Sequence, residues 1–215
     1  MAAGDLAEAE LHYRTAAGLF EVLGDAPAVG RVLAERGRLE LVRGRYAEAV
    51  STLRAAVRRE PANTASQVAL ARALWFSGQP RSSVIVLNGL LALRGNAVEA
   101  LRLRGEILAD LGEVASALRD LSRARRDQGV ETLAARALAL ALAGRLDAAE
   151  QEAADALANG ADNGPALYRV ARVNELSGGS PPAAELARRA LSAAHPALPS
   201  HLRADAERLA GRQAA

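Results

Sequence analysis

Few side chains in this sequence have the types and spacing that catalysis or metal binding requires. The three histidines, His12, His195 and His201, lie far apart, and none is paired with an acidic residue at a metal-ligand spacing. His12 is predicted on the surface or in the partial core of the opening helix, and His195, beside Pro196, in a loop. Because the chain has no cysteine, a disulfide framework and a thiolate metal site are both excluded. We therefore expect no metal site and no cofactor.

Motifs for nucleotide binding and hydrolysis are also missing. The sequence contains no G-x-x-x-x-G-K-[ST], no G-x-G-x-x-G and no G-x-S-x-G. Carboxylates such as Asp147, Glu150 and Glu152 fall on helix faces typical of solvated charge. Nothing in the pattern brings two of them into a desolvated pocket, as acid–base catalysis would need. The sequence predicts a protein that is not an enzyme.

The alkaline isoelectric point does not indicate nucleic-acid binding. All 27 basic residues are arginine, against 25 acidic residues, and the small excess gives a calculated pI of about 9.6 because little else titrates. Arginines and glutamates are interleaved, and no aromatic stacking platform recurs. The first residues lack the pattern of a signal peptide, and no apolar run approaches the ~20 residues of a membrane span. We expect a cytoplasmic protein without nucleic-acid or membrane contacts.

The elements that must position any site are helices that repeat along the chain. Half of the residues are hydrophobic but only 3% are aromatic, which favours closely packed helices rich in alanine and leucine. Glycines recur at intervals of 40, 34, 34, 32 and 34 residues, at Gly4, Gly44, Gly78, Gly112, Gly144 and Gly178. Seven residues before the last five stand the small residues Gly37, Ala71, Gly105, Ala137 and Ala171. Such spacing predicts helix pairs that end at glycine and touch at small residues.

These units resemble the tetratricopeptide repeat, whose 34-residue unit is a pair of helices. The best match is 30–63, with Gly37, Gly44, Ala49, Leu53, Ala56 and Pro61 at the family's positions. The resemblance implies an all-α fold, a right-handed α-solenoid of stacked antiparallel helix pairs, and a bacterial protein. We predict one solenoid over 1–215, with a lone second helix at 5–25, pairs at 30–63, 64–97, 98–131, 130–163 and 164–196, and a capping helix at 199–212.

The first segment has a second helix but no first helix to pair with it. Either this helix caps the stack, or the chain is the tail of a longer solenoid, or a partner covers the bare face. The sequence leaves these alternatives open.

The resemblance implies a protein–protein interaction scaffold that binds a peptide or partner protein in a concave groove lined by the first helices. When the family's repeat frame is placed on this sequence, the partner-binding residues are Arg31, Arg38, Arg72, Trp75, Phe76 and Arg102. Arginine and tryptophan often dominate interface energies, so we expect an acidic or C-terminal carboxylate group beside Arg38 and Arg72, with Trp75 as apolar anchor. The alternative is that Trp75 and Phe76 fill the core between repeats and the arginines are ordinary surface.

A second candidate contact lies on the convex side, at Ile85 and Val86. The preceding unit has Ser51 and Thr52 at these positions, and the following unit has Arg119 and Asp120. Apolar residues where neighbours are polar indicate a homodimer or a partner domain. The alternative is a locally tilted helix that buries them.

Charge is unevenly distributed along the chain. The segment 31–60 carries eight arginines and four glutamates, whereas 131–155 carries two arginines and five acidic residues. Such polarity favours oriented docking. Besides a scaffold, we consider a regulatory or sensor arm of a larger bacterial signalling or transcription-regulating protein, because the lengthened first segment resembles such arms.

Overall fold

The computed structural model describes residues 3–124, 129–160, 162–194 and 196–211, with side chains from residue 8 onward except those of 180 and 181. The described residues form helices and short connections, with no strand among them. In chain order the helices are α1 (Ala3–Val22), α2 (Ala26–Val42), α3 (Tyr46–Arg59), α4 (Thr64–Phe76), α5 (Pro80–Leu93), α6 (Val98–Asp110), α7 (Val114–Arg123), α8 (Val130–Leu142), α9 (Leu146–Asn159), α10 (Gly164–Leu176), α11 (Ser180–Ser192) and α12 (Ser200–Ala210).

Contacts between helices divide the chain into two compact units, a first unit of residues 1–93 and a second unit of residues 94–215. In the first unit, α1 to α4 each pack on the next helix along the chain, and α2 also contacts α4. In the second unit α6 pairs with α7, α8 with α9 and α10 with α11, while α6 contacts α8 and α8 contacts α10. The predicted all-α solenoid class is confirmed, with helix pairs whose first helices adjoin.

Six helices end in the same glycine turn. Gly24, Gly44, Gly78, Gly112, Gly144 and Gly178 adopt φ between 70 and 83°, a left-handed conformation that glycine takes without steric cost. After each of them, the next amide donates to the carbonyl five residues earlier, at 2.8–3.0 Å. This Schellman motif satisfies carbonyls that the helix end would leave unpaired. Five glycines of the predicted series form it, but Gly4 lies inside α1, and Gly24 ends that helix instead.

Small residues set how closely the two helices of a pair approach. A Cβ atom on Gly37 of α2 would lie 2.5 Å from Leu53 Cγ of α3, and one on Gly105 of α6 would lie 2.7 Å from Leu121 Cγ of α7. The other small residues predicted at this contact, Ala71, Ala137 and Ala171, are fully buried. The interface therefore depends on the absence of side-chain volume at one position per repeat.

One apolar cluster of the first unit lies between α3 and α4. Buried apolar residues of both helices form one cluster, comprising Ala49, Val50, Leu53, Ala69, Leu70, Ala73 and Leu74. At the end of α4, Phe76 stacks on Tyr46 with ring centroids 5.0 Å apart and meets the edge of Trp75 at 4.8 Å. These aromatic contacts fix the end of α4 against the start of α3.

The last helix closes the second unit through polar contacts. Tyr168 of α10 donates its hydroxyl proton to Asp205 of α12 at 2.9 Å, and Arg208 of α12 binds both carboxylate oxygens of Glu175 at 2.8 and 3.2 Å. The apolar side of α12 is buried through Leu202, Ala206 and Leu209. Packing of α12 against α11 accompanies these contacts.

Candidate protein-binding surface

The residue types that could do chemistry are dispersed in the structure. His12 is exposed and lies 3.6 Å from Glu8 on its own helix, and His195 lies outside the described residues. His201 is half-buried, and burial lowers its pKa. Asp147 and Glu150 are exposed on α9, as expected from the sequence, but Glu152 is half-buried and accepts a hydrogen bond from Arg136 of α8 at 2.5 Å. Across the described residues, no three His, Asp or Glu side chains gather as a metal site would require.

Three predicted arginines lie on the first helices of the first unit. Arg31 is exposed, while Arg38 and Arg72 are half-buried. Arg38 forms an ion pair with Glu35 one turn earlier on α2. Arg38 and Arg72 occupy the same position in consecutive repeats, and α2 contacts α4 directly. Because packed helices lie about 8–10 Å apart, one ligand could reach both guanidinium groups.

The aromatic residues predicted to anchor a ligand are in the core. Trp75 is 0% exposed and Phe76 is 6% exposed. Their rings pack on each other, and Phe76 also stacks on Tyr46, so they cannot offer surface to a docked peptide. The expectation of a Trp75 anchor is therefore corrected in favour of the core alternative. Sequence reasoning misplaced them because a first helix in a stack is buried on more than one side.

In the second unit, polar side chains of the first helices bind one another. Glu106 of α6, which is 0% exposed, accepts hydrogen bonds from Arg102 at 2.8 Å and from the Thr132 hydroxyl of α8 at 3.1 Å. Arg169 of α10 binds both oxygens of Asp110 of α6, at 2.7 and 2.8 Å. Exposure of the two side chains is 0% and 1%. The predicted contact Arg102 is thus part of an internal network, and its role toward a partner stays a prediction.

This buried ion pair was not predicted from the sequence. Arg169 stands where the other repeats have Glu35, Ala69, Leu103 and Ala135, so its repeat position gives no signal of a partner. Burial alone would lower its pKa, but the Asp110 carboxylate raises it, and the guanidinium stays charged. The pair ties α6 to α10, two first helices separated in sequence by α8.

A second polar cluster links α10 with α12. Burial and the Asp205 charge raise the pKa of Tyr168, so its hydroxyl stays protonated. Burial alone would raise the pKa of Asp205, but hydrogen bonds from Arg208 and Tyr168, with the charge of Arg172, leave it lowered. Arg172 donates to Asp205 at 3.0 Å. These contacts occupy Tyr168 and Arg172 on the first helix of the last repeat.

The two residues predicted on the convex side, Ile85 and Val86, differ in exposure. Ile85 is 70% exposed, whereas Val86 packs against the apolar cluster between α3 and α4. The residue equivalent to Val86 in the next repeat is Asp120. Its two carboxylate oxygens accept hydrogen bonds from Arg104 of the paired helix α6, at 2.6 and 2.9 Å. This repeat position therefore faces the first helix, and the expectation that Val86 points outward is corrected. A contact through Ile85 stays a prediction.

One charge pattern went unnoticed in the sequence reasoning. Between Glu60 and Glu99 the chain has no acidic residue, but it carries Arg72, Arg81 and Arg94. The repeat at 64–97 is therefore purely cationic, and it includes α4. An acidic ligand on this repeat would meet no acidic side chain of the repeat itself.

Comparison with known proteins identifies the repeat. Two models of the tetratricopeptide repeat match the chain, over residues 1–64 and 41–107. No curated protein sequence is significantly similar to it. Among the described residues, no helix combines the length and apolar character that crossing a membrane would take.

Solved structures with the same fold are distant in sequence. A thermophilic tetratricopeptide repeat protein of Thermus thermophilus is 21% identical with a TM-score of 0.62, over 84% of this chain and 98% of that one. MamA 41-end from Desulfovibrio magneticus RS-1 is 20% identical with a TM-score of 0.57, over 80% and 97%. PilF of Pseudomonas aeruginosa is 17% identical with a TM-score of 0.55, over 76% of each chain. At these identities the likeness shows the fold alone.

Proposed function

Because the chain belongs to the tetratricopeptide repeat family, we propose that it is a non-catalytic protein–protein interaction scaffold that holds an acidic segment of a partner. The proposed binding surface consists of α2 and α4, with Arg31, Arg38 and Arg72 as its contacts. Helix pairs of this family generally serve as interaction scaffolds rather than as enzymes.

The observation that carries this proposal is the cationic repeat at 64–97, adjoining the arginines of α2. A carboxylate placed between Arg38 and Arg72 would gain charge-assisted hydrogen bonds, which are about twice as strong as neutral ones. The equivalent positions of the second unit support the choice of the first unit, because they carry the acidic Glu106, the apolar Leu138 and a single arginine, Arg172, rather than two arginines in consecutive repeats. Trp75 and Phe76 would act indirectly, by holding α4 in place.

The test begins with a selection of random dodecapeptides against the full chain. We expect acidic peptides to be enriched, and their affinity to fall with added salt. The double variant Arg38→Ala/Arg72→Ala should weaken binding of a selected, fluorescein-labelled peptide at least about tenfold, as the loss of two charged contacts implies.

The matched control removes the same charge elsewhere. Arg54 and Arg58 are exposed on α3, so Arg54→Ala/Arg58→Ala changes the net charge equally without touching α2 or α4. We expect this variant to bind within about twofold of the wild type, as for surface charges away from a contact. Equal losses in both variants, or no enrichment of acidic peptides, would count against the proposed surface.

The regulatory-arm hypothesis stays a prediction. A regulatory arm would bind a protein or peptide in the same way as a scaffold. The two hypotheses differ only in what the chain is attached to or acts on.

A further inference from the structure

The outer face of α1 is apolar and exposed. Leu11 is 63% exposed, Leu19 is 61% exposed and Val22 is 88% exposed. Their spacing places them along one stripe of the helix, with Thr15 and Gly18 between them. A Cβ atom on Gly18 would have no atom within 4 Å, so the backbone itself is accessible in the middle of the stripe.

The same face of the next second helix is polar. By the 40-residue offset between Gly4 and Gly44, Leu11 corresponds to Ser51 of α3 and Leu19 to Arg59. Both of these α3 residues are exposed. The apolar face of α1 is therefore not a requirement of the repeat, because α3 serves the same structural role without it.

We propose that this face of α1 binds α1 of a second copy of the chain, with the two helices antiparallel and centred on Thr15. Leu11 and Leu19 each lie four residues from Thr15, so antiparallel pairing places Leu11 of one copy against Leu19 of the other, twice. Gly18 of one copy then lies opposite His12 of the other. The missing side chain at Gly18 lets the two backbones approach closely.

Charge selects the antiparallel orientation. In a parallel pair, the flank of α1 that carries Arg14 and Glu21 would face the opposite flank of the partner helix, so these two charges could not meet across the contact. In the antiparallel pair, Arg14 of one copy and Glu21 of the other lie about 7.5 Å apart along the helix axis, within reach of an arginine side chain. Both residues are exposed on α1, where Arg14 also pairs with Glu10 at 3.0 Å and Glu21 with Arg59 at 3.2 Å, so the contact between copies would extend these pairs. The orientation that matches the leucines therefore also matches the charges.

The area available is enough for a weak, specific dimer. With Leu23, which is 74% exposed, four large apolar side chains contribute to this face. At ~60–120 Å² of apolar area per side chain, they supply roughly 300–400 Å² per copy. Two copies with their polar rims reach about 1,000 Å², the lower bound of specific interfaces. Ile85 and Leu93, at the equivalent positions of α5, offer only two such side chains.

Sedimentation of the full chain from about 2 to about 200 µM tests the proposal, because contacts at the lower size limit are generally weak and this range covers dissociation constants of about 1–100 µM. We expect a monomer–dimer equilibrium in the wild type. Leu11→Asp/Leu19→Asp should raise the dissociation constant at least about 100-fold, since two carboxylates would be buried on each side. Both positions are exposed, so circular dichroism should be unchanged. Ile85→Asp/Leu93→Asp, the matched control on α5, should dimerise like the wild type.

Cross-linking tests the register without disturbing the leucines. Because the chain has no cysteine, Thr15→Cys introduces a single thiol that faces its own copy across the two-fold axis. We expect a disulfide-linked dimer under mild oxidation, and none from Ser51→Cys on the outer face of α3.

Three results would overturn the proposal. A wild type that stays monomeric over the whole range would remove the dimer. Loss of the dimer only in Ile85→Asp/Leu93→Asp would assign it to α5. Equal cross-linking of Thr15→Cys and Ser51→Cys would indicate random collision. Arg38→Ala/Arg72→Ala should leave the dimer intact, so this test and that of the acidic-peptide surface fail independently.

Discussion

The ion pair between Arg169 and Asp110 should be the strongest single polar interaction in the second unit. Both side chains are excluded from solvent, at 0% and 1% exposure, and two hydrogen bonds of 2.7 and 2.8 Å join them. With an effective dielectric constant of about 20, opposite charges about 4 Å apart attract by about 4 kcal/mol. Desolvation offsets much of this attraction, so the net gain from the pair is smaller than the cost of breaking it.

A double-mutant cycle separates these terms. Arg169→Met leaves a buried carboxylate without its partner arginine and should reduce the free energy of unfolding by about 3–5 kcal/mol. Asp110→Asn keeps the shape of the side chain but removes the charge, and it should also be destabilising. The double variant should recover part of the loss, giving a coupling energy of about 2–3 kcal/mol. Urea unfolding followed by far-ultraviolet circular dichroism measures each variant.

An exposed pair of the same unit is the control. Arg188 and Glu185 lie 3.0 Å apart, with side chains 56% and 60% exposed. The same cycle on Arg188→Met and Glu185→Gln should give a coupling energy below about 1 kcal/mol, because solvent screens the pair. If the Arg169 cycle gave no more than this control, the claim that the buried pair is the strongest polar interaction of the second unit would be refuted.

Three further predictions follow from burial and packing. Trp75→Ala should lower the free energy of unfolding by about 3–5 kcal/mol, because it empties a fully buried site. A loss below about 1 kcal/mol in urea unfolding would contradict the core position of Trp75. Gly37→Ala should destabilise by about 1–3 kcal/mol, since its Cβ would lie 2.5 Å from Leu53 Cγ; thermal melts would contradict this if it matched Gly89→Ala, which meets nothing within 4 Å and should be neutral or slightly stabilising. His201 has a lowered pKa in the folded chain, so its stabilising contribution is present above the unfolded pKa of about 6.5 and is lost as pH falls toward the folded value. Between pH 7.5 and 5.5, the wild type should therefore lose more stability in urea than His201→Gln, and equal losses would exclude this origin.

Much of the fold is predictable because its periodic residues have a steric role. Glycines at intervals near 34 end helices in a conformation that other residues adopt only with strain. The small residues seven positions earlier, such as Gly37, stand where the paired helix comes closest. Both constraints act within one repeat, so a single sequence displays them.

The binding surface is less predictable because exposure depends on contacts between repeats. Trp75 and Arg72 lie on the same helix, but only the tryptophan is fully buried. Arg169 and Asp110 are 59 residues apart in the chain, and no local pattern joins them. Val86 was misplaced because Thr52 and Asp120, the polar residues at its equivalent positions, suggested an outward face although both are buried. Polarity at one repeat position is thus a poor guide to exposure when ion pairs can be internal.

The most direct test of the interaction-scaffold proposal is an amide nuclear magnetic resonance titration of the full chain with a selected acidic peptide. The proposal predicts that the largest shift changes fall on α2 and α4, around Arg31, Arg38 and Arg72, and disappear in Arg38→Ala/Arg72→Ala. Changes concentrated on the exposed arginines of α3, or on the first helices of the second unit, would contradict it.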